Sequence, residues 1–176
     1  EPDGKITSAD RVLWGISDPK LSFGLTNNFR YKNFDLSIYM YGIVGIKFND
    51  DLSTAFVVES QLAQFGWNMM TEMKDRWSYD NTDSKYPSGL SSTYSGYATD
   101  YWKEDGSFLR CQDITLGYTL PTNLIRKQKV LSGLRLTVSV QNAFVITNYS
   151  GIDPELTSWV AYPNPRSLIF GLNASF

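Results

Sequence analysis

The stretch Arg166 to Phe176, reading R-S-L-I-F-G-L-N-A-S-F, decides the fold. Leu168, Phe170, Leu172, Ala174 and Phe176 fall on one face of a strand. Ser167, Gly171, Asn173 and Ser175 fall on the other, with Ile169 the one exception. Period-two alternation is the signature of a strand with two different faces. A strand of about ten residues, apolar outside and small and polar inside, has the length to cross a membrane in a tilted β-barrel. An edge strand of a soluble β-sandwich alternates in the same way, so this segment alone leaves both folds open.

The pattern recurs upstream. Leu21, Phe23, Leu25, Phe29 and Tyr31 alternate with Ser22, Gly24, Thr26, Asn28 and Arg30. Phe34, Leu36, Ile38 and Met40 alternate with Asp35, Ser37, Tyr39 and Tyr41. Ile114, Leu116 and Tyr118 alternate with Thr115, Gly117 and Thr119, and Leu134, Leu136, Val138 and Val140 with Arg135, Thr137, Ser139 and Gln141. The connections separate the two folds. Lys32-Asn33 is a tight turn and Pro121 to Gly133 a moderate one, whereas 45–106 and 146–165 are long. Strict alternation of short and long connections is what outer-membrane barrels show. The sequence therefore predicts an all-β fold with antiparallel strands near 21–31, 34–44, 107–119, 134–145 and 166–176. Arg30, Asp35, Arg135 and Gln141 are expected on its polar face, and Leu136, Val138, Phe170 and Leu172 on its apolar face.

Composition bounds the rest. Aromatics make up 15% of the chain, and Tyr and Phe near strand ends suit the girdles of a membrane barrel. The net charge is −2, which gives no electrostatic footprint for nucleic acid. Cys111 has no second cysteine to pair with and reads as a packing residue. There is no histidine, which removes the commonest metal ligand and general base.

The first ten residues, E-P-D-G-K-I-T-S-A-D, match the second half of a calcium loop. Asp3, Gly4 and Asp10 fill an acid, a turn glycine and a distal carboxylate, so Asp3 and Asp10 are candidate Ca²⁺ ligands. The motif is cut at residue 1 and no signal peptide is read, which together predict a piece of a longer protein. Between the second and third long strands, Ala55, Val58, Leu62, Phe65, Met69 and Met73 recur at helical spacing over roughly 53–77. An irregular stretch rich in Ser, Tyr, Asn and Gly follows to Asp100. Long loops of this kind are usually functional or disordered. Trp67, Tyr101, Trp102 and Trp159 are the candidate substrate-stacking aromatics; the alternative is that such rings hold their own loops together.

Several words of this sequence, in order, resemble the C-terminal portion of SusC/RagA-type TonB-linked outer-membrane transporters of the Bacteroidetes. They are Asp3-Gly4-Lys5-Ile6-Thr7 with Asp10-Arg11, Pro19 through Leu36, and Arg76-Trp77 with Asn81 and Tyr86-Pro87. Ser107-Phe108-Leu109-Arg110 and Ile114 through Pro121 follow. Gln141-Asn142-Ala143-Phe144 and Thr147 through Glu155, ending in Gly151-Ile152-Asp153-Pro154-Glu155, are the most specific. Tyr162-Pro163, Arg166-Ser167 and Gly171 to Phe176 complete the likeness, and Cys111 departs from the aliphatic residue expected there.

The resemblance implies one wall of a large plugged barrel of roughly 22 strands, with a helix-containing extracellular loop and the plug absent from this chain. It implies a SusD-like lipoprotein lid, energy from TonB, outer-membrane lipid around the wall, and oligosaccharide or peptide as cargo. It also implies that Phe170, Leu172 and Phe176 act as the signal read by the barrel-assembly machinery. The alternative is a soluble carbohydrate-binding β-sandwich. Catalysis has little support: Asp153 and Glu155 form the only suggestive local carboxylate pair, and Pro154 between them reads as a turn.

Overall fold

The computed structural model describes residues 9, 11–13, 15, 18–49, 66, 68, 70–86, 88, 100–125, 130–156 and 161–176. Among these residues seven strands follow in chain order: β1 Leu21–Tyr31, β2 Phe34–Val44, β3 Lys47–Asn49, β4 Lys103–Asp105, β5 Phe108–Thr119, β6 Gly133–Thr147 and β7 Ser167–Ser175. The only α-helix among the described residues is the single turn α1, Thr122–Ile125. The chain divides into two compact units, 1–18 with 46–103, and 19–45 with 104–176.

The second unit is a five-stranded antiparallel sheet in the order β1-β2-β5-β6-β7. Tight connections favour antiparallel neighbours. Lys32 takes a left-handed φ of 52° in the two-residue turn between β1 and β2. Asn33 then joins that turn to the end of β5, giving its Nδ2–H to the Thr119 carbonyl at 2.7 Å and accepting the Thr119 N–H at 2.9 Å. The connection from β5 to β6 enters α1 through Pro121, whose fixed φ suits a helix start. The Leu120 N–H is held by the Leu134 carbonyl. These two connections and the end of β7 lie at one end of the sheet, and both long connections leave from the other.

Register shows why the sequence alternates. Residues paired across neighbouring strands share a face. One row reads Phe29, Leu36, Leu116, Val138, Phe170, and the next reads Asn27, Ile38, Ile114, Val140, Leu168. The last row shared by all five strands before the short turns is Tyr31, Phe34, Tyr118, Leu136, Leu172, with Leu134 and Ala174 of β6 and β7 one row further on. In it the rings of Phe34 and Tyr118 lie 4.5 Å apart. The opposite face carries Arg30, Asp35, Gly117, Thr137, Gly171, then Asn28, Ser37, Thr115, Ser139, Ile169. Ile169 is the apolar exception there, and Asn27 the polar exception on the apolar face.

A soluble sandwich buries its apolar face under a second sheet. Here that face is open: Phe170 is 73% exposed and Leu172 69%. The buried hydrophobic side chains among the described residues are few, namely Met73, Trp102, Phe108, Cys111 and Ile125. An apolar surface of this extent marks contact with another phase or another protein.

The first unit is described mainly around 70–86. Thr71–Asp75 is a 3-10 turn, which corrects the α-helix expected over 53–77 in its final part; the rest of that expectation lies outside the described residues. From Arg76 the described part of the loop consists of turns with two isolated bridges, Arg76 with Tyr86 and Ser78 with Asn81; most of its continuation to Asp100 lies outside the described residues. Asn81 braces the bend by donating from Nδ2 to Asp75 Oδ1 at 2.9 Å.

Two strand glycines differ in what they make room for. A Cβ on Gly42 would lie 2.7 Å from the Phe23 ring and 2.9 Å from the Phe108 carbonyl oxygen, which is backbone and cannot give way. A Cβ on Gly117 would meet only the movable ends of Arg135 and Asp35. Gly42→Ala is therefore expected to lower the barrel's heat-dissociation temperature clearly. Gly117→Ala is expected to break one exposed ion pair at a cost of at most about 1 kcal/mol. Equal effects of the two would contradict this account of the sheet.

Candidate functional site

The polar face is a wall of small hydroxyls and amides with charge at its two ends. At the short-turn end, Arg135 on β6 reaches over Gly117 on β5 and donates from Nη2 to Asp35 on β2 at 2.6 Å. The bridge spans three strands because glycine leaves the middle one without a side chain. In the centre, the Thr115 hydroxyl donates to Asp113 Oδ1 at 2.7 Å and lies 2.8 Å from that of Ser139. Tyr39 and Tyr41 follow, with ring centroids 6.1 Å apart, and the Phe108 ring meets Tyr41 edge-on at 5.8 Å.

At the opposite end, from which the long connections leave, lies a largely buried charged cluster. Arg110 on β5 is 3% exposed and Asp153, in the connection between β6 and β7, is 6% exposed. Arg110 Nη2 donates to Asp153 Oδ1 at 2.6 Å. Its Nε is in ionic contact with Glu155 but is not aligned for a hydrogen bond. The Tyr41 hydroxyl donates to the Glu155 carboxylate, 2.6 Å from Oε1 and 2.7 Å from Oε2. Asp153 Oδ1 also accepts the Glu155 N–H at 2.9 Å, which shapes the turn around Pro154. The guanidinium lies 5.9 Å from the centre of the Phe108 ring, within cation–π range.

Register explains how a charged residue of β5 comes to this face. The pairing slips at Tyr39/Met40 and again at Cys111/Asp113, and Asn142 beside it on β6 has a left-handed φ of 51°. A bulge re-aims the residues beyond it. Continuing the alternation of Ile114, Leu116 and Tyr118 backwards puts Arg110 on the apolar face. The slip instead pairs Arg110 with Tyr41 on the polar face and Cys111 with Met40 and Phe144 on the apolar one. Cys111 is 1% exposed there and packs, as the sequence reading expects.

The residues singled out in the sequence fall in different places. Arg30, Asp35, Arg135 and Gln141 are on the polar face; Leu136, Val138, Phe170 and Leu172 are on the apolar face. Phe176 follows β7 and is 85% exposed. Trp102 is 5% exposed and packs with Met73, Met70 and Tyr86, so the structure gives it a role in holding its own unit together. Tyr101 lies edge-on to Trp102 at 4.6 Å, is partly exposed, and donates its hydroxyl to the Lys85 carbonyl. Trp67, Trp159, Asp3 and Asp10 lie outside the described residues. No group of three or more His, Cys, Asp or Glu among the described residues is placed to hold a metal ion. Sequence reasoning missed the Arg110 cluster, although both of its halves stand in words quoted above, F-L-R and G-I-D-P-E.

No family profile matches the chain. It is 33% identical over 98% of its length to the TonB-dependent receptor SusC of Bacteroides thetaiotaomicron, covering 16% of that protein. It is 30% identical over 99% of its length to a TonB-dependent receptor of Formosa agariphila, covering 18% of that protein. Its fold matches the structure of the RagAB peptide transporter with a TM-score of 0.83 and 26% identity, over 97% of this chain and 19% of that one. A further RagAB structure, the peptide importer in its "open-open" state, matches over the whole chain with a TM-score of 0.82. The chain thus spans less than a fifth of the length of the curated relatives named here. These relatives are outer-membrane receptors and transporters, not enzymes. Similar to them along nearly its whole length and folded as about a fifth of the RagAB transporter is, the chain is a piece of outer-membrane β-barrel wall of the SusC/RagA type.

Proposed function

We propose that the full-length parent of this chain imports oligosaccharides across the outer membrane, together with a SusD-like surface lipoprotein and driven through TonB. The observation that carries this reading is the two-faced sheet. Its apolar face has open Leu, Phe and Val rows between aromatic strand ends, as lipid requires, and its polar face is lined with hydroxyls, as a lumen requires. In that reading the long connections lie outside the cell, and the wall stays rigid while loops and plug handle the cargo. Peptide cargo is the second reading, favoured by the likeness to the RagAB peptide transporter.

The experiment deletes the parent gene in its own host and compares growth on oligosaccharides and on peptides as sole nutrients. Loss of growth on one class, restored by the gene and abolished again by collapsing the proton-motive force, is expected. Unchanged growth and uptake on both classes would overturn the proposal. Affinity purification of the parent from outer membranes is expected to bring down a surface lipoprotein at near-equal amount.

A further inference from the structure

Two sets of polar ties fasten the first half of the connection between β6 and β7. Ser150 gives its N–H to Glu104 Oε2 at 2.9 Å and its hydroxyl to Oε1 at 2.7 Å. Three residues further on, Arg110 and Tyr41 hold Asp153 and Glu155. Between the ties stand only Gly151 and Ile152, and a Cβ at Gly151 would crowd the end of the Tyr149 side chain. Ile152, at the crest, is 57% exposed.

Stability alone is a poor reason for such a cluster. Desolvating an arginine, one carboxylate fully and a second in part offsets much of the Coulomb gain, and apolar packing of similar volume is often as stable or more so. What a forked guanidinium supplies is geometry: it holds carboxylates in few arrangements. Here both carboxylates come from one loop, across a proline with fixed φ, and the tyrosine comes from a different strand.

We propose that Arg110 is a positioning residue which, with Tyr41, Asp153 and Glu155, clamps residues 150–155 of the long connection in one conformation before any ligand arrives. A loop ordered in advance spares the binding step the entropy of ordering it. That consequence for uptake rests on the importer reading. The clamp itself does not, and its test reads loop motion and barrel stability without any measurement of uptake.

The test uses the full-length parent in isolated outer membranes, with Ile152→Cys carrying a nitroxide spin label. A control without Ile152→Cys subtracts labels on other cysteines. With the clamp intact the label is expected to give one slow component. In the apolar triple variant Arg110→Met, Asp153→Leu, Glu155→Met, its motion is expected to quicken roughly tenfold, while the barrel's heat-dissociation temperature stays unchanged. A label as immobile in the triple variant as in the parent would overturn the clamp. So would a dissociation temperature that falls together with the label's order, since that marks general loosening. If the triple variant does not reach the membrane, Tyr41→Phe with Glu155→Gln decides: a quickened label supports the clamp, and an unchanged one overturns it. A parent that imports nothing yet gives this label behaviour would sink the importer reading and keep the clamp.

Discussion

Ile114→Arg is expected to cost the folded barrel about 2–4 kcal/mol, the penalty for arginine on the lipid face at the bilayer midplane. Ile114 stands in a middle row of the apolar face, between Ile38 and Val140, with further rows toward both strand ends. A guanidinium there has neither water nor a partner within reach. Leu136→Arg is expected to cost only about 0–1 kcal/mol, because Leu136 lies beside Tyr118 in the last row shared by all five strands, with only Leu134 and Ala174 between it and the short-turn end. From that depth a long side chain reaches the interface. The check is a denaturant titration of refolded full-length parent in lipid, followed by the fraction of heat-shifted band. Equal costs at the two positions would contradict the assigned depth, and no cost at Ile114 would contradict the assigned face.

Arg110→Ala is expected to be the most damaging change on the polar face, at about 3 kcal/mol. Removing the cation leaves Asp153 buried without its charge partner and Glu155 with only the Tyr41 hydroxyl. The cost falls at the low end of the range for a broken buried pair because the Glu155 side chain remains 25% exposed. Asp35→Ala at the other end of the same face is the matched control. Its pair with Arg135 is half open to water, with side chains 34% and 43% exposed, and its loss is expected to cost no more than about 1 kcal/mol. The same denaturant titration reads both. A loss at Arg110 no larger than that at Asp35 would show that the cluster is not buried in the assembled barrel.

What the sequence made legible, and what it did not, divides along range of interaction. The strands were legible because each side chain's face follows from its neighbours two residues away, as Leu168-Phe170-Leu172 shows. Even Ile169, the exception within that strand, sits on the polar face opposite Ser139. The turns were legible from Lys32-Asn33 and Pro121. The slip at Cys111/Asp113 was not, because a bulge changes only which residue faces which, and nothing in the local run of residues marks it. With it went the Arg110 site, whose partners stand 43 residues away and more. Asp153 and Glu155 read locally as a proline turn, which they are, and only the register shows that the turn presents both carboxylates to one arginine. Trp102 illustrates the opposite limit: composition alone does not separate an aromatic that meets a ligand from one that packs on Met73.

The most direct test of the wall itself is electrophoretic. Outer membranes from cells expressing the full-length parent are solubilised and run without and with boiling. A folded barrel resists the detergent and migrates differently until heated, so a band in the outer-membrane fraction that shifts on boiling is the predicted result. A product found in the soluble fraction, with the same mobility before and after heating, would contradict the barrel and make the open apolar face a surface for another protein.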